Sequence, residues 1–203
     1  MATAKRTSRD EIQNHLLKLL GGEAQDIIQQ VCHLLDMGDK ETGLAILRNY
    51  DKTLGGTGIY QIRDKKLLGV YRALSYVWIP LQGDNPENFT RSMIHSACCY
   101  LEELLKKIVR ISPWEQIKAD SLPLGTLVNR ARKHLPLSIY DELDWLARDV
   151  YNFAKHHYNL EDDDLPEPDH YFGLDEAIAV YLIVRKLGLE LEGMIPLSKR
   201  VDL

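Results

Sequence analysis

The stretch SMIHSACCYLEELLKKIV, residues 92–109, decides the fold. Its apolar side chains recur three and four residues apart, at Ile94, Ala97, Cys98, Leu101, Leu104, Leu105 and Ile108. This spacing lines one face of an α-helix and leaves the other face polar. The sequence therefore predicts an amphipathic helix over residues 87–110, whose apolar face needs other helices to cover it.

The rest of the chain also predicts helices and no strands. The same periodicity predicts helices over residues 9–20, 24–36, 41–49, 65–79, 124–135, 139–157 and 174–187. Pro80 and Gly188 are expected to end two of them, and Ser138 to cap a third. The stretch TLGGTG, residues 53–58, lacks the Lys-Ser/Thr of a phosphate-binding loop and is interpreted as a linker. We expect an all-α protein with a small N-terminal helical region, residues 1–64, before a helical bundle, residues 65–203.

Charge and cysteine content narrow the class of protein. The net charge is −5, but residues 161–176 hold eight acids and no Lys or Arg. The remaining chain is slightly basic, so a nucleic-acid-binding face outside an acidic loop at 159–170 is compatible with the sequence. Three cysteines without paired spacing predict no disulfide framework, which favours the cytoplasm. No apolar run approaches the roughly 18 residues of a membrane span, so no membrane association is expected.

The helix predicted over residues 139–157 carries polar side chains that its core face does not need. At 100° per residue, its large apolar side chains and His157 cluster on one side. Arg148, Asn152 and Lys155 lie opposite, and Trp145 and His156 flank them. A solvated face is the simpler interpretation of the polar side. Trp145 favours a second contact surface there, because a large aromatic side chain far from the core usually packs against another surface.

Three segments in order resemble the HEPN superfamily of small helical bundles, over about residues 65–192. They are SMIHSACCYLEELLKKIV (92–109), LPLGTLVNRARKHL (122–135) and DELDWLARDVYNFAKHH (141–157), followed by an acidic loop and the helix FGLDEAIAVYLIVRKLGLEL. The family signature is an Arg, four to six residues, then a His, often with a polar residue after the Arg. Here Asp149 follows Arg148, and seven residues separate Arg148 from His156. The spacing is one residue longer than the signature.

The resemblance implies a homodimer that binds RNA or nucleotides. Many members of the family are metal-independent endoribonucleases that act in a cleft between two subunits, and others are non-catalytic partners. Carried over, the pattern makes Arg148 the group that stabilises the charged phosphorane and His156 the acid or base for the 2′-hydroxyl. Asn152 would be a hydrogen-bonding helper. No cofactor is implied.

Other charged groups permit more than one interpretation. Lys155, Arg130 and Arg132 are candidates for substrate phosphate contacts, although basic clusters are often only surface. No metal site is predicted, because the adjacent His156 and His157 point about 100° apart on a helix. Arg185 lies on an apolar stripe, so a structural ion pair is expected.

The alternative function is a non-catalytic interaction module. In that case, the bundle would only dimerise, and the N-terminal helices would bind a protein partner.

Overall fold

A computed structural model describes residues 9–54, 68–109, 122–156 and 172–195, and these residues confirm the all-α prediction. They contain helices and no strand. The α-helices are α1 (Arg9–Leu20), α2 (Gly22–Asp36), α3 (Lys40–Thr53), α4 (Leu68–Gln82), α5 (Thr90–Ile108), α6 (Leu124–Ala131), α7 (Leu137–Trp145), α8 (Asn152–His156) and α9 (Leu174–Met194). Two 3₁₀ turns, Pro86–Phe89 and Arg132–His134, and one π turn, Leu146–Tyr151, connect helices.

Helices α5 and α9 form the centre of the bundle. They pack closely against each other, and α4 covers a further part of α5. In α9, every residue from 176 to 185 is buried. A helix that is buried all round belongs in the middle of a helical protein. The indole N–H of Trp78 on α4 donates to the hydroxyl of Tyr181 on α9 at 3.1 Å, which joins these helices inside the core.

The three N-terminal helices pack on the same core. α1 and α2 contact α9, and α2 pairs with α3. Buried side chains such as Ile12 and Leu47 belong to one continuous apolar cluster with Leu101 and Leu182. The predicted boundary between residues 64 and 65 lies outside the described residues.

The predicted ion pair of Arg185 is confirmed. Its Nε donates to Asp51 Oδ1 at 2.7 Å, and the side chains are 0% and 3% exposed. Asp51 comes from α3 and Arg185 from α9, so the pair joins the N-terminal helices to the central helix. A buried arginine needs such a carboxylate because an isolated charge is costly away from water.

Two predicted helix ends were wrong. α4 continues past Pro80 to Gln82, where Leu81 is fully buried. α9 continues past Gly188 to Met194. A Cβ at position 188 would overlap the Tyr100 ring, so Gly188 permits close packing of α9 against α5 rather than ending the helix.

The helix around Arg148 also differs from its prediction. It begins at Leu137 after Pro136, and its first turn has no side-chain cap, so Ser138 is not the cap. Proline preceding the first turn suits this start because it fixes the backbone angle. We call α7, the π turn and α8 together the Arg148 helix; its predicted end at residue 157 lies outside the described residues.

The predicted core is largely confirmed. Leu101, Leu105, Leu143, Leu146 and Val150 are each fully buried, whereas Phe153 is half-buried against the cluster. The acidic loop at 159–170 lies outside the described residues. Among the helices that the structure describes, none is long and apolar enough to cross a membrane.

Candidate functional site

The Arg148 helix has one buried face and one open face. Its buried face packs against α5 and α6 and contains Leu143, Leu146, Ala147, Val150, Tyr151 and Ala154. Arg148 and Asn152 are exposed. The fold therefore leaves two of the three predicted catalytic side chains on the surface, as the helical periodicity predicted.

A π turn surrounds Arg148. At its end, the backbone N–H of Asn152 donates to the carbonyl of Ala147, five residues earlier instead of the four of an α-helix. Such turns occur as single insertions in α-helices and are frequent at functional sites. His156 is the last described residue of α8, and its side chain lies outside the described part of the chain.

Two carboxylates of the same helix hold Arg148. Its Nε lies 3.2 Å from Asp144 Oδ2, and its Nη2 lies 3.6 Å from Asp149 Oδ2. The Arg148 side chain is 64% exposed. Ion pairs this exposed contribute little to stability, because water screens them. The guanidinium is therefore positioned by its neighbours but remains accessible to an anion from solution.

Trp145 finds its second contact surface inside the chain. Its ring lies against His15 of α1, with 4.0 Å between centroids and 35° between planes. The expectation that Trp145 needs a partner beyond the core is met without a second subunit. Burial lowers the pKa of His15, Lys18 lowers it further, and the carboxylate of Asp149 opposes both. Helix α1 thus borders the Arg148 region.

Two of the predicted substrate-binding residues lie over aromatic rings. The ammonium of Lys155 lies 5.3 Å from the centre of the Tyr151 ring. The Arg132 guanidinium lies 5.1 Å from the centre of the Tyr140 ring. Both are cation–π distances, at which a cation is held over an aromatic face. Arg130 and Arg132 are exposed on and just after α6.

A second polar cluster, which the sequence analysis missed, lies between α5 and the Arg148 helix. The Tyr151 hydroxyl donates to Glu102 Oε1 at 2.7 Å. The His95 ring stacks on Tyr151 with 5.5 Å between centroids, and Cys99 Sγ lies 3.7 Å from His95 Nδ1. Residues 95, 99 and 102 are four and three apart, so the sequence places them on one helix face. That spacing is the signal that could have revealed the cluster.

Burial favours the neutral forms of His95 and Cys99 in this cluster. Burial lowers the pKa of His95; Glu102 opposes this shift and Lys155 adds to it. Burial, with help from Glu102, raises the pKa of Cys99 to about 11. A thiol with a raised pKa is a poor nucleophile, because the thiolate is the reactive form. The pair is therefore suited to hydrogen bonding and not to thiolate chemistry.

A cavity of about 60 Å³ lies between α1, α2 and the start of α9, beside Gln13, Gln25 and Asp175. This volume is space for a few water molecules. Within the described ranges, no group of three or more His, Cys, Asp or Glu side chains could hold a metal ion.

The chain was compared with protein-family models, curated proteins and solved structures. No protein-family model, no curated protein and no solved structure matches it.

Proposed function

We propose that this protein is a HEPN-like, homodimeric RNA-binding protein that cleaves RNA without a metal ion, in a cleft between two copies. The observation that best supports this function is the π turn around Arg148. Three free cysteines, Cys32, Cys98 and Cys99, are consistent with a reducing compartment, and we assign the protein to the cytoplasm.

The π turn bears directly on the spacing of the motif. In a regular α-helix, positions eight apart lie about 80° apart around the axis. A π turn holds one more residue, so each of its residues advances less around the axis. Positions 148 and 156 are thereby brought closer to one face. The π turn would thus partly compensate for the extra residue between Arg148 and His156. The two positions would then be related much as they are in the shorter family signature.

The state of Arg148 also supports the proposal. Among the described residues, its ion-pair partners are Asp144 and Asp149 of its own helix, and its side chain is 64% exposed. An RNA phosphate could therefore replace Asp144 or Asp149 without disturbing the packing between helices. Guanidinium groups bind phosphate oxygens through two parallel hydrogen bonds, which suits Arg148 to this role.

The proposed reaction uses only the RNA and these side chains. His156 takes the proton of a ribose 2′-hydroxyl, and the oxygen attacks the adjacent phosphorus. Arg148 stabilises the added negative charge of the phosphorane, and Asn152 donates a hydrogen bond. The protonated His156 returns a proton to the 5′-oxygen as the P–O5′ bond breaks, which yields a 2′,3′-cyclic phosphate and a 5′-hydroxyl. Lys155, Arg130 and Arg132 would contact phosphates further along the strand.

The test is cleavage of RNA by purified protein in the presence of EDTA. We expect cyclic-phosphate products from RNA and none from DNA of the same sequence, because DNA lacks the 2′-hydroxyl. His156→Ala should abolish cleavage, and Asn152→Ala should reduce it. Lys52→Ala, an exposed basic residue on α3, is the matched control and should leave cleavage unchanged. Absence of cleavage by the wild-type dimer, or full activity of His156→Ala, would contradict the proposal.

A second candidate is the non-catalytic interaction module. The observation in its favour is that Arg148 is neutralised by two carboxylates, so its surroundings are not strongly basic. RNA binding gains most of its affinity from uncompensated cations. This function predicts a dimer, or a complex through the N-terminal helices, that neither binds nor cleaves RNA.

A further inference from the structure

The outer face of α4 and the 3₁₀ turn after it expose large apolar side chains. Tyr76 and Ile79, one turn apart on α4, are 48% and 59% exposed. Phe89, in the turn that packs against α4, is 51% exposed. The opposite side of α4 is already packed in the core through Leu74 and Val77. We call Tyr76, Ile79 and Phe89 the α4 face.

Charges of opposite sign stand at the two ends of the α4 face. Arg72 lies in the first half of α4, and Glu87 lies in the 3₁₀ turn beyond its carboxyl end. Both are exposed, and within the described part of the chain neither forms an ion pair. Ile79 lies about midway between them along the sequence, and Gly83, near the acidic end, is exposed.

We propose that the α4 face binds the α4 face of a second copy of this chain, with the two helices antiparallel. A two-fold interface must be complementary to itself. Antiparallel pairing meets this condition, because it sets Arg72 of each copy opposite Glu87 of the other. Ile79 then lies near the two-fold axis, and Tyr76 lies opposite the exposed Gly83 of the other copy. A parallel arrangement would instead oppose like charges.

The size of the face predicts a weak dimer. Each of the three apolar side chains exposes on the order of 100 Å². From two copies these side chains contribute on the order of 600 Å², so the polar rim has to supply the rest of the roughly 1,000 Å² at which specific interfaces begin. Association should therefore depend visibly on protein concentration. Charge pairs at the rim of so small an interface have a measurable share in its affinity.

This inference rests on the proposed function in one respect, since it names the surface that joins the two copies. Arg91, two residues after Phe89, donates from Nε and Nη2 to the Ala154 carbonyl at 3.0 and 2.8 Å. The end of α8, two residues before His156, therefore lies beside the start of α5. The first turn of α5 thus connects the α4 face, which directly precedes it, to the end of α8.

The experiment is sedimentation velocity of the full chain over a range of concentrations. We expect reversible dimerisation of the wild type and a monomer for Ile79→Glu. Met37→Glu is the matched control, since Met37 is 72% exposed at the end of α2, which packs against α3; it should dimerise like the wild type. Circular dichroism of each variant establishes that it is folded. A monomeric wild type, or an Ile79→Glu dimer of unchanged affinity, would overturn the proposal.

A charge exchange tests the orientation. Arg72→Glu and Glu87→Arg should each weaken dimerisation about tenfold, because each places like charges together at both ends of the interface. The double variant should recover most of the lost affinity. A double variant as weak as either single one would overturn the antiparallel arrangement.

RNA cleavage measured on the same samples separates this inference from the proposed function. If Ile79→Glu still dimerises and cleaves RNA, the α4 face is rejected as the interface and the proposed function is retained. Loss of the dimer in Ile79→Glu, in a protein that cleaves no RNA, supports the α4 face and rejects the proposed function.

Discussion

Helix α9 and the Arg148 helix each carry an arginine, and the two arginines have opposite surroundings. Arg185 on α9 is fully buried, and its carboxylate partner comes from α3, 134 residues away in sequence. Arg148 is 64% exposed, and both of its carboxylate partners belong to its own helix. The first ion pair joins two parts of the fold. The second only positions a side chain on one helix.

This difference in burial distinguishes a charge that the fold depends on from a charge that the fold can lose. Removing a buried partner leaves a charge in a region of low dielectric, which the folded state tolerates poorly. Removing an exposed partner leaves a charge that water solvates. Arg148 is therefore not required by the packing of the bundle, so it is free to take the role proposed for it without cost to the fold.

The largest expected effect comes from breaking the buried pair. Asp51→Ala should lower the free energy of unfolding by about 3–5 kcal/mol, because Arg185 then loses its buried carboxylate. The control is Asp84→Ala, which breaks the Lys40–Asp84 pair at the same N–O distance of 2.7 Å but with Asp84 96% exposed. The control should cost far less, because water solvates Lys40 when its exposed partner is removed. Urea unfolding of both variants measures the difference, and equal losses would refute it.

A second way to sharpen the comparison is to add one methyl group to α9. Gly188→Ala should destabilise the protein by about 1–3 kcal/mol, because its Cβ would overlap the buried Tyr100 ring. Gly193→Ala on the same helix has open space around it and should stabilise by up to about 1 kcal/mol. Thermal unfolding of the two variants should shift the midpoint in opposite directions. A neutral Gly188→Ala would mean that α9 and α5 are less closely packed than described.

A smaller effect concerns pH and the polar cluster beside the Arg148 helix. Burial lowers the pKa of His95 below its ordinary value of 6.5. Below pH 6.5, the unfolded chain therefore binds more protons than the folded one at this site, so stability falls as the pH falls. The midpoint of thermal unfolding should decrease between pH 7 and 5, and His95→Gln should flatten this decrease. His33→Gln, at an exposed histidine of α2, is the control; an unchanged slope in His95→Gln would contradict the expected role.

The smallest expected effect on stability belongs to Arg148 itself. Arg148→Ala loses two exposed ion pairs, and alanine is at least as favourable in a helix. The free energy of unfolding should change by less than about 0.5 kcal/mol. Urea unfolding measures this directly, and a loss as large as that of Asp51→Ala would assign Arg148 to the structure.

Much of the fold could be predicted from helical periodicity. The apolar faces around Leu101 and Val150 identify the helices that bury them, and a charge amid apolar side chains at Arg185 requires a partner. The residue that supplies this partner, Asp51, could not be predicted, because it is brought in by tertiary packing from another helix. The exposed positions of Arg148 and Asn152 follow from the same periodicity, whereas their role remains a prediction.

The errors arose where packing overrides local preference. Pro80 and Gly188 are helix breakers in isolation, but the buried Leu81 and the close approach at Tyr100 extend both helices beyond them. The π turn could not be predicted, because a helical wheel assumes 100° per residue throughout. The contact between Trp145 and His15 depends on the placement of α1, which the spacing along one helix does not report.

The most direct test of the central claim is the rate of RNA cleavage in EDTA by Arg148→Ala relative to wild type, at equal stability. Arg148 is expected to act on the transition state and not on the fold. The rate should fall by about a hundredfold or more, as for the loss of a charge-stabilising donor, while the free energy of unfolding stays within about 0.5 kcal/mol of wild type. An unchanged rate, or a loss explained by unfolding, would contradict the functional assignment of Arg148.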